Sequence, residues 1–130
     1  MPHINVHISG QADAALTLQV ARKVTALTSE ILGKKPEVTA VVVHYIPHQQ
    51  WIIDNTPLSE QGKNAFHLDI SVTDETNTKP EKARYLKEIY ASLSALIGKV
   101  HEKSYIHVFD VRAATYGYGG LTQEYRYQHA

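Results

Sequence analysis

The first residues of the chain alternate between polar and apolar side chains. Ile4, Val6 and Ile8 are separated by polar neighbours in the segment "PHINVHIS", and Pro2 stands at its head. A period of two is typical of a strand with one buried face. Proline is tolerated at the first position of a strand, because its missing N–H is not needed there. The pattern predicts a strand over about residues 2–9.

A helical period follows this strand. From Asp13 to Leu32 apolar residues recur three or four positions apart, and Gly33 follows as a C-terminal stop. The apolar stripe consists of Val20, Val24, Leu27 and Ile31. The next run, "VTAVVVHYIP", is rich in β-branched residues, as expected of a strand buried on both faces. The three elements form a β-α-β unit.

The same order of elements then repeats. Residues 66–72 alternate, residues 79–97 carry a helical period, and "SYIHVFDV" reads as a closing strand. The stripe of the second helix consists of Leu86, Ile89, Leu93 and Ile97. When the first unit is aligned with the second at an offset of 65 residues, Gly33 corresponds to Gly98 and Trp51 corresponds to Tyr116. This common register favours an internal duplication.

Two strands joined through a helix lie parallel, with a right-handed crossover. The sequence therefore predicts one α/β (α+β) domain, residues 1–130, built from tandem β-α-β repeats of about 1–60 and 61–130. The repeats are expected to form a four-stranded mixed sheet with two helices on one face. The other sheet face would lack a cover, so we expect copies of the chain to associate through it.

The composition excludes several classes of function. The chain has 130 residues, no cysteine, and 13 Lys+Arg against 13 Asp+Glu. Without cysteine, disulfides and thiolate catalysis are excluded, and such a composition is typical of cytoplasmic proteins. No basic run predicts nucleic-acid binding, and no apolar run approaches the roughly 18 residues of a membrane span. Eight histidines are present, but the pairs His3/His7 and His44/His48 have a four-residue spacing on strands rather than on a helix, so no metal is expected.

Three segments resemble the tautomerase superfamily, which includes 4-oxalocrotonate tautomerase, malonate semialdehyde decarboxylase, haloacrylate dehalogenases and macrophage migration inhibitory factor. "MPHINVHISG" is similar to the family's first strand, which begins with the catalytic proline. "VVVHYIPHQQW" and "ATYGYGG" resemble the endings in which an aromatic residue lines the active site. The length is that of the double-unit members, so the resemblance implies the tautomerase fold and a homotrimer.

The resemblance also implies a reaction. Removal of Met1 would turn Pro2 into a secondary amine, and Trp51 and Tyr116 would line the pocket. An α-amino group titrates near 8, and burial or nearby cations lower that value, so a neutral base is available near neutral pH. The implied enzyme is a keto-enol tautomerase acting on a small enol or 2-keto acid, with no cofactor.

The arginines that bind substrate in the family have no counterpart in this sequence. Their positions are occupied by Gln11, Ala40 and Tyr105. Arg112, just beyond the closing strand, is the candidate cation for a substrate carboxylate, although a solvated surface charge is the simpler interpretation.

Alternatives remain open at this stage. Trp51 and Tyr116 are equally compatible with core or interface packing. The scaffold also suits a hydratase, dehalogenase or decarboxylase in which Pro2 acts as an acid, or a non-catalytic trimeric binding protein. The expected partners are a small carboxylate or enol and two further copies of the chain.

Overall fold

The structure of the protein is a computed structural model that describes residues 2–130. Its elements, in chain order, are β1 (His3–Ser9), α1 (Ala14–Leu32), β2 (Ala40–Ile46), β3 (Ile52–Ile53), β4 (Thr56–Pro57), α2 (Leu58–Gln61), β5 (Phe66–Thr73), α3 (Lys79–Ile97), β6 (Ile106–Val111), β7 (Gly117–Tyr118), β8 (Leu121–Thr122) and α4 (Gln123–Gln128). The predicted long strands and helices all form.

The main sheet has four strands in the order β2-β1-β5-β6. The pairs β1/β2 and β5/β6 are parallel, and β1 and β5 pair antiparallel at the centre. Helices α1 and α3 pack side by side on the same face of this sheet. The predicted fold class, a mixed four-stranded sheet with two helices on one face, is confirmed.

Local hydrogen bonds fix the ends of both long helices. Asp13 caps α1 by accepting a hydrogen bond from the Leu16 N–H at 3.0 Å, and Gly33 ends it with a left-handed φ of 70°. Thr78 and Glu81 form a reciprocal capping box at the start of α3.

Within residues 2–130, no helix has the length and apolar character needed to cross a bilayer.

The core lies between the sheet and the two long helices. The α1 stripe is buried as predicted: Val20, Val24, Leu27 and Ile31. The α3 stripe differs at its first position, because Tyr85 is fully buried whereas Leu86 is 37% exposed. The stripe therefore begins one residue earlier than predicted, four positions before Ile89, and the Tyr85 hydroxyl contacts Thr28 on α1.

Strand β2 is not buried on both faces, so that prediction is wrong for the protomer. Val41 and Val43 pack against the core, whereas Val42 is 50% exposed. The reason is that β2 is an edge strand and the sheet face opposite the helices is open.

This open face carries most of the histidines of the chain. It presents His3, His7, His44, His67 and His107, together with Val42, Tyr105 and Phe109. The rings of His7 and His44 stack at 4.9 Å. Burial holds the pKa of His67 below its usual value, and Asp69 partly offsets this effect. The face therefore combines exposed aromatic surface with five imidazole side chains.

A small hairpin follows the closing strand of each β-α-β unit. β3 and β4 are joined by Asp54–Asn55, and β7 and β8 by Gly119–Gly120. All four turn residues have positive φ, which is typical of the tight turns that join two strands by two residues.

The two hairpins are anchored by the same backbone contact. The Leu58 N–H donates to the Trp51 carbonyl, and the Gln123 N–H donates to the Tyr116 carbonyl, each at 2.9 Å. Trp51 and Tyr116 thus occupy equivalent positions in the two units, in the register predicted from the sequence.

Candidate active site

One edge of the sheet gathers four strand ends around Pro2. His3 pairs with Ala40 of the parallel neighbour and with Ser71 of the antiparallel neighbour. The starts of β1 and β2 therefore meet the ends of β5 and β6. Pro2 is buried at this edge, and its carbonyl accepts a hydrogen bond from the Ala40 N–H at 3.3 Å.

Tyr116 lies at the same edge. Its hydroxyl is 2.6 Å from the hydroxyl of Thr73, the last residue of β5. Burial raises the pKa of Tyr116, the hydrogen bond to Thr73 lowers it in part, and Tyr127 adds to the rise. The phenol therefore stays protonated at neutral pH and is a potential hydrogen-bond donor.

Lys34 is a buried cation beside this group. It is 9% exposed, and its ammonium donates to the Thr76 hydroxyl at 2.9 Å. Thr76 in turn donates to the Thr73 carbonyl. Burial lowers the pKa of Lys34, and the charges of Glu81 and Asp110 offset part of this effect. Neither acid forms an ion pair with Lys34.

A cavity of about 510 Å³ opens next to Lys34. Val38, shortly before the Pro2 partner strand β2, contributes one wall. The lining also includes Tyr118, Arg126 and residues at the end of the chain. Pro2 does not line this cavity; its hydrogen-bond partner Ala40 follows the lining residue Val38 by two positions. Across residues 2–130, no three histidine or acidic side chains cluster as a metal ion would require.

The Arg126 side chain of α4 is held against the β7–β8 hairpin. Its guanidinium lies 3.9 Å from the centroid of the Tyr118 ring, and Nη2 donates to the Tyr118 carbonyl at 2.9 Å. A Cβ at Gly119 would lie 3.1 Å from Nη2, so glycine leaves room for this close approach.

A larger groove of about 700 Å³ lies between the two long helices, lined by residues such as Arg22 and Leu96. None of its residues belongs to the Pro2 edge, and its lining is mostly small or apolar. The smaller cavity is therefore the better candidate for a functional site, since it combines concave shape with buried polar groups.

Comparison with known proteins identifies the fold. No family model matches the chain, and no curated protein matches its sequence. Among solved structures, Pt0534 inactivated by 2-oxo-3-pentynoate has a TM-score of 0.83 at 11% identity, covering 95% of this chain and 98% of that chain. A fused 4-OT symmetric trimer has a TM-score of 0.77 at 16% identity, covering 94% and 96%. A macrophage migration inhibitory factor-like protein from Entamoeba histolytica has a TM-score of 0.72 at 15% identity, covering 93% and 97%.

The chain has the tautomerase fold. The resemblance found in the sequence is thus confirmed for the fold, over nearly the whole length of the chain.

Within the tautomerase fold of one protomer, Trp51 does not meet Pro2. It follows the end of β2, at the opposite edge of the sheet, about 20 Å away along a strand of seven residues. There it is 7% exposed, packs with Leu58 and Ala65, and contacts the His67 ring at 4.8 Å.

Arg112 lies at the Pro2 edge, directly after β6, and is exposed. Only its backbone makes hydrogen bonds with described residues: its carbonyl accepts from the N–H and hydroxyl of Thr115. The structure thus brings Pro2, Tyr116 and Arg112 to one edge of the tautomerase fold.

Sequence reasoning missed Lys34 and Arg126. A signal for Lys34 does exist in the sequence. Lys34 precedes β2, which is parallel to β1, and parallel strands begin at the same edge of a sheet, so residues just before β2 lie near the start of β1. Arg126 carries no such signal, since α4 reaches the cavity through the tertiary fold alone.

Proposed function

We propose that the protein is a tautomerase, an isomerase in which Pro2 acts as general base after removal of Met1. The observation that carries this proposal is the position of Pro2. It is buried at the sheet edge that also holds the Tyr116 phenol and the Lys34 ammonium. The tautomerase fold supports the proposal.

The proposed reaction moves one proton. The neutral amine of Pro2 takes a proton from the enol hydroxyl as the C=O bond forms, and the same proton returns to the carbon of the former C=C bond. Substrate and product have the same atoms, so no cofactor is needed. Tyr116 is suited to donate a hydrogen bond to the developing oxygen charge.

A carboxylate on the substrate needs a cation, and Lys34 is the best placed. Its ammonium is buried, has one described hydrogen-bond acceptor, Thr76, and forms no ion pair within residues 2–130. A buried ammonium without a counterion is costly, and a bound anion would remove that cost. Arg112 is exposed and is proposed as a second contact at the rim of the site.

The open sheet face favours a homotrimer. Val42, Phe109 and Tyr105 are 50%, 40% and 66% exposed on it. Such a surface is expected to be covered by other copies of the chain. Fused 4-OT structures with this fold are trimers. Because Trp51 lies at the far edge of its own sheet, we assign it a role only at the site of a neighbouring copy.

The test of the catalytic proposal combines mass and activity. Intact-mass measurement first establishes that Met1 has been removed. Ketonisation of phenylenolpyruvate and 2-hydroxymuconate is then followed for the wild type, for Pro2→Ala and for a protein carrying an extra Gly-Ser before Pro2. We expect activity in the trimmed wild type only, with a loss of at least about a hundredfold in both variants.

A covalent probe makes the same test independent of turnover. 2-Oxo-3-pentynoate is expected to react with the Pro2 nitrogen, which adds to the alkyne while a proton is taken up at carbon, so that the protein gains the whole mass of the reagent. Peptide mapping locates the adduct. Activity that persists in Pro2→Ala, or an adduct only at lysine residues, would refute the proposal. A solution mass different from three times 14.6 kDa would refute the trimer.

A further inference from the structure

Three cationic side chains line the cavity next to Lys34, together with the last residue, Ala130. Lys34, Lys35 and Arg126 are on its walls, and no Asp or Glu side chain is among its lining residues. The ion pairs of the part of the chain that the structure describes involve none of the three. Its size, about 510 Å³, is within the range of small-molecule sites. The electrostatics of the cavity therefore favour a small anion with more than one charge.

The wall formed by α4 holds unpaired polar atoms. Gln123 is 9% exposed and lines the cavity, and its Oε1 has no hydrogen-bond partner within residues 2–130. Nε of Arg126, one helical turn away, is also buried and has no partner among the same residues. Buried polar groups are nearly always hydrogen-bonded, so each exception calls for an explanation such as a bound group. The Nε–H of Arg126 is a donor and suits an anion, whereas Gln123 Oε1 only accepts and suits a hydroxyl of the same ligand.

The guanidinium of Arg126 is positioned in advance. Stacking on Tyr118 and the hydrogen bond to the Tyr118 carbonyl restrain its plane and commit one nitrogen. No ion pair among residues 2–130 uses the remaining N–H groups. A restrained, planar guanidinium loses little entropy when it binds a carboxylate, which makes it a selective contact.

We propose that Arg126 is a specificity-determining residue, which binds a second anionic group of a ligand whose first carboxylate is held by Lys34. The cavity thereby selects small dianions over monoanions of the same shape. The inference rests on the proposed function in one respect, because it takes this ligand to be the substrate. Binding itself does not depend on the chemistry of Pro2.

Fumarate and crotonate are a matched pair of probes, since they share the C=C–COO⁻ frame and differ by a carboxylate in place of a methyl group. Binding is measured by calorimetry or by NMR titration of the whole trimmed protein. We expect the wild type to bind fumarate roughly ten- to hundredfold more tightly than crotonate, the ratio that a charged hydrogen bond confers. Arg126→Gln should weaken fumarate binding and leave crotonate binding nearly unchanged, so that the preference disappears.

The other variants separate the role of Arg126 from general effects. Lys34→Gln should weaken both probes. Arg126→Lys should restore part of the preference, because it keeps the charge but not the planar fork. Arg22→Gln, which removes an equal charge from the helix groove, should change neither affinity. Circular dichroism and solution mass verify that each variant folds and assembles.

Several results would overturn the inference. The wild type would bind the two probes with equal affinity, or would bind neither. Alternatively, Arg126→Gln would lose binding of both probes, or Lys35→Gln instead of Arg126→Gln would lose the preference for fumarate. The proposed function is tested separately. Pro2→Ala should retain the fumarate preference, so a protein without turnover but with this preference would refute the catalytic proposal and leave the anion site in place.

Discussion

A buried hydrogen bond between α1 and α3 allows a stability prediction with a defined sign. The hydroxyls of Thr28 and Tyr85 lie 2.8 Å apart, and both side chains are 0% exposed. Thr28 also donates to the carbonyl of Val24 at 2.7 Å. A threonine hydroxyl has one hydrogen, so Tyr85 must be the donor between the two helices.

This direction makes the two single deletions unequal. Thr28→Val leaves the Tyr85 O–H buried without an acceptor, which costs about 1–3 kcal/mol. Tyr85→Phe removes the donor but leaves Thr28 bonded to Val24, so its cost should be at the lower end, about 1 kcal/mol. The double variant leaves no orphaned donor, and its cost should be less than the sum of the two.

Chemical denaturation at one fixed protomer concentration measures the three differences, because assembly makes apparent stability depend on concentration. We expect Thr28→Val to be the less stable single variant, with a coupling energy of about 1 kcal/mol in the cycle. A larger loss in Tyr85→Phe, or strictly additive losses, would refute the assignment of Tyr85 as donor.

Three further predictions concern ionisation and the hairpin next to the cavity. Burial raises the pKa of Tyr85 to about 12, so one of the eight tyrosines should ionise last in an alkaline absorbance titration, and the free energy of unfolding should fall as the pH rises from 10 to 12. Tyr85→Phe should remove the last ionisation step and reduce this fall in stability, to which Tyr116 also contributes because burial raises its pKa. An unchanged titration curve and an unchanged slope would contradict the assignment. Burial holds the pKa of His67 below 6.5, so the free energy of unfolding should fall as the pH drops below 6.5. Denaturation curves of His67→Gln should show a weaker dependence on pH. An unchanged dependence would count against a role of His67. A Cβ at Gly117 would overlap the Leu121 carbonyl, so Gly117→Ala should open the β7–β8 hairpin and speed limited proteolysis near the C-terminus. A Cβ at Gly120 would meet no atom, so Gly120→Ala should cost only about 1–2 kcal/mol of stability. Equal rates of proteolysis for the two variants would argue against the clash.

Local physics made the elements of this protein predictable. Ile4 and its alternate neighbours specify a strand with one buried face, because the period of side chains in a strand is two. Asp13 and Gly33 specify the ends of α1, because they satisfy backbone groups that the helix itself leaves unpaired. These signals require only residues close in sequence, and they were sufficient for the architecture and for the resemblance based on Pro2.

Burial around the elements was less predictable. The stripe of α3 begins at Tyr85 rather than Leu86, because the adjacent positions have similar apolar character and the contact with Thr28 on α1 decides between them. Val42 is half-exposed although its neighbours suggest a strand buried on both faces. Whether a sheet face is covered depends on other parts of the molecule and on other copies of it, which no local pattern records.

The composition of the candidate site was decided by the tertiary structure alone. Antiparallel pairing of β1 with β5 brings Tyr116 to the edge of Pro2 and leaves Trp51 at the opposite edge, although the two aromatic residues are equivalent in sequence. The tertiary fold also brings Arg126 of α4 into the lining of the cavity that contains Lys34. These contacts join segments that are distant in the chain. They form because they bury apolar surface between the two repeats, and that surface is created only when the repeats pack together.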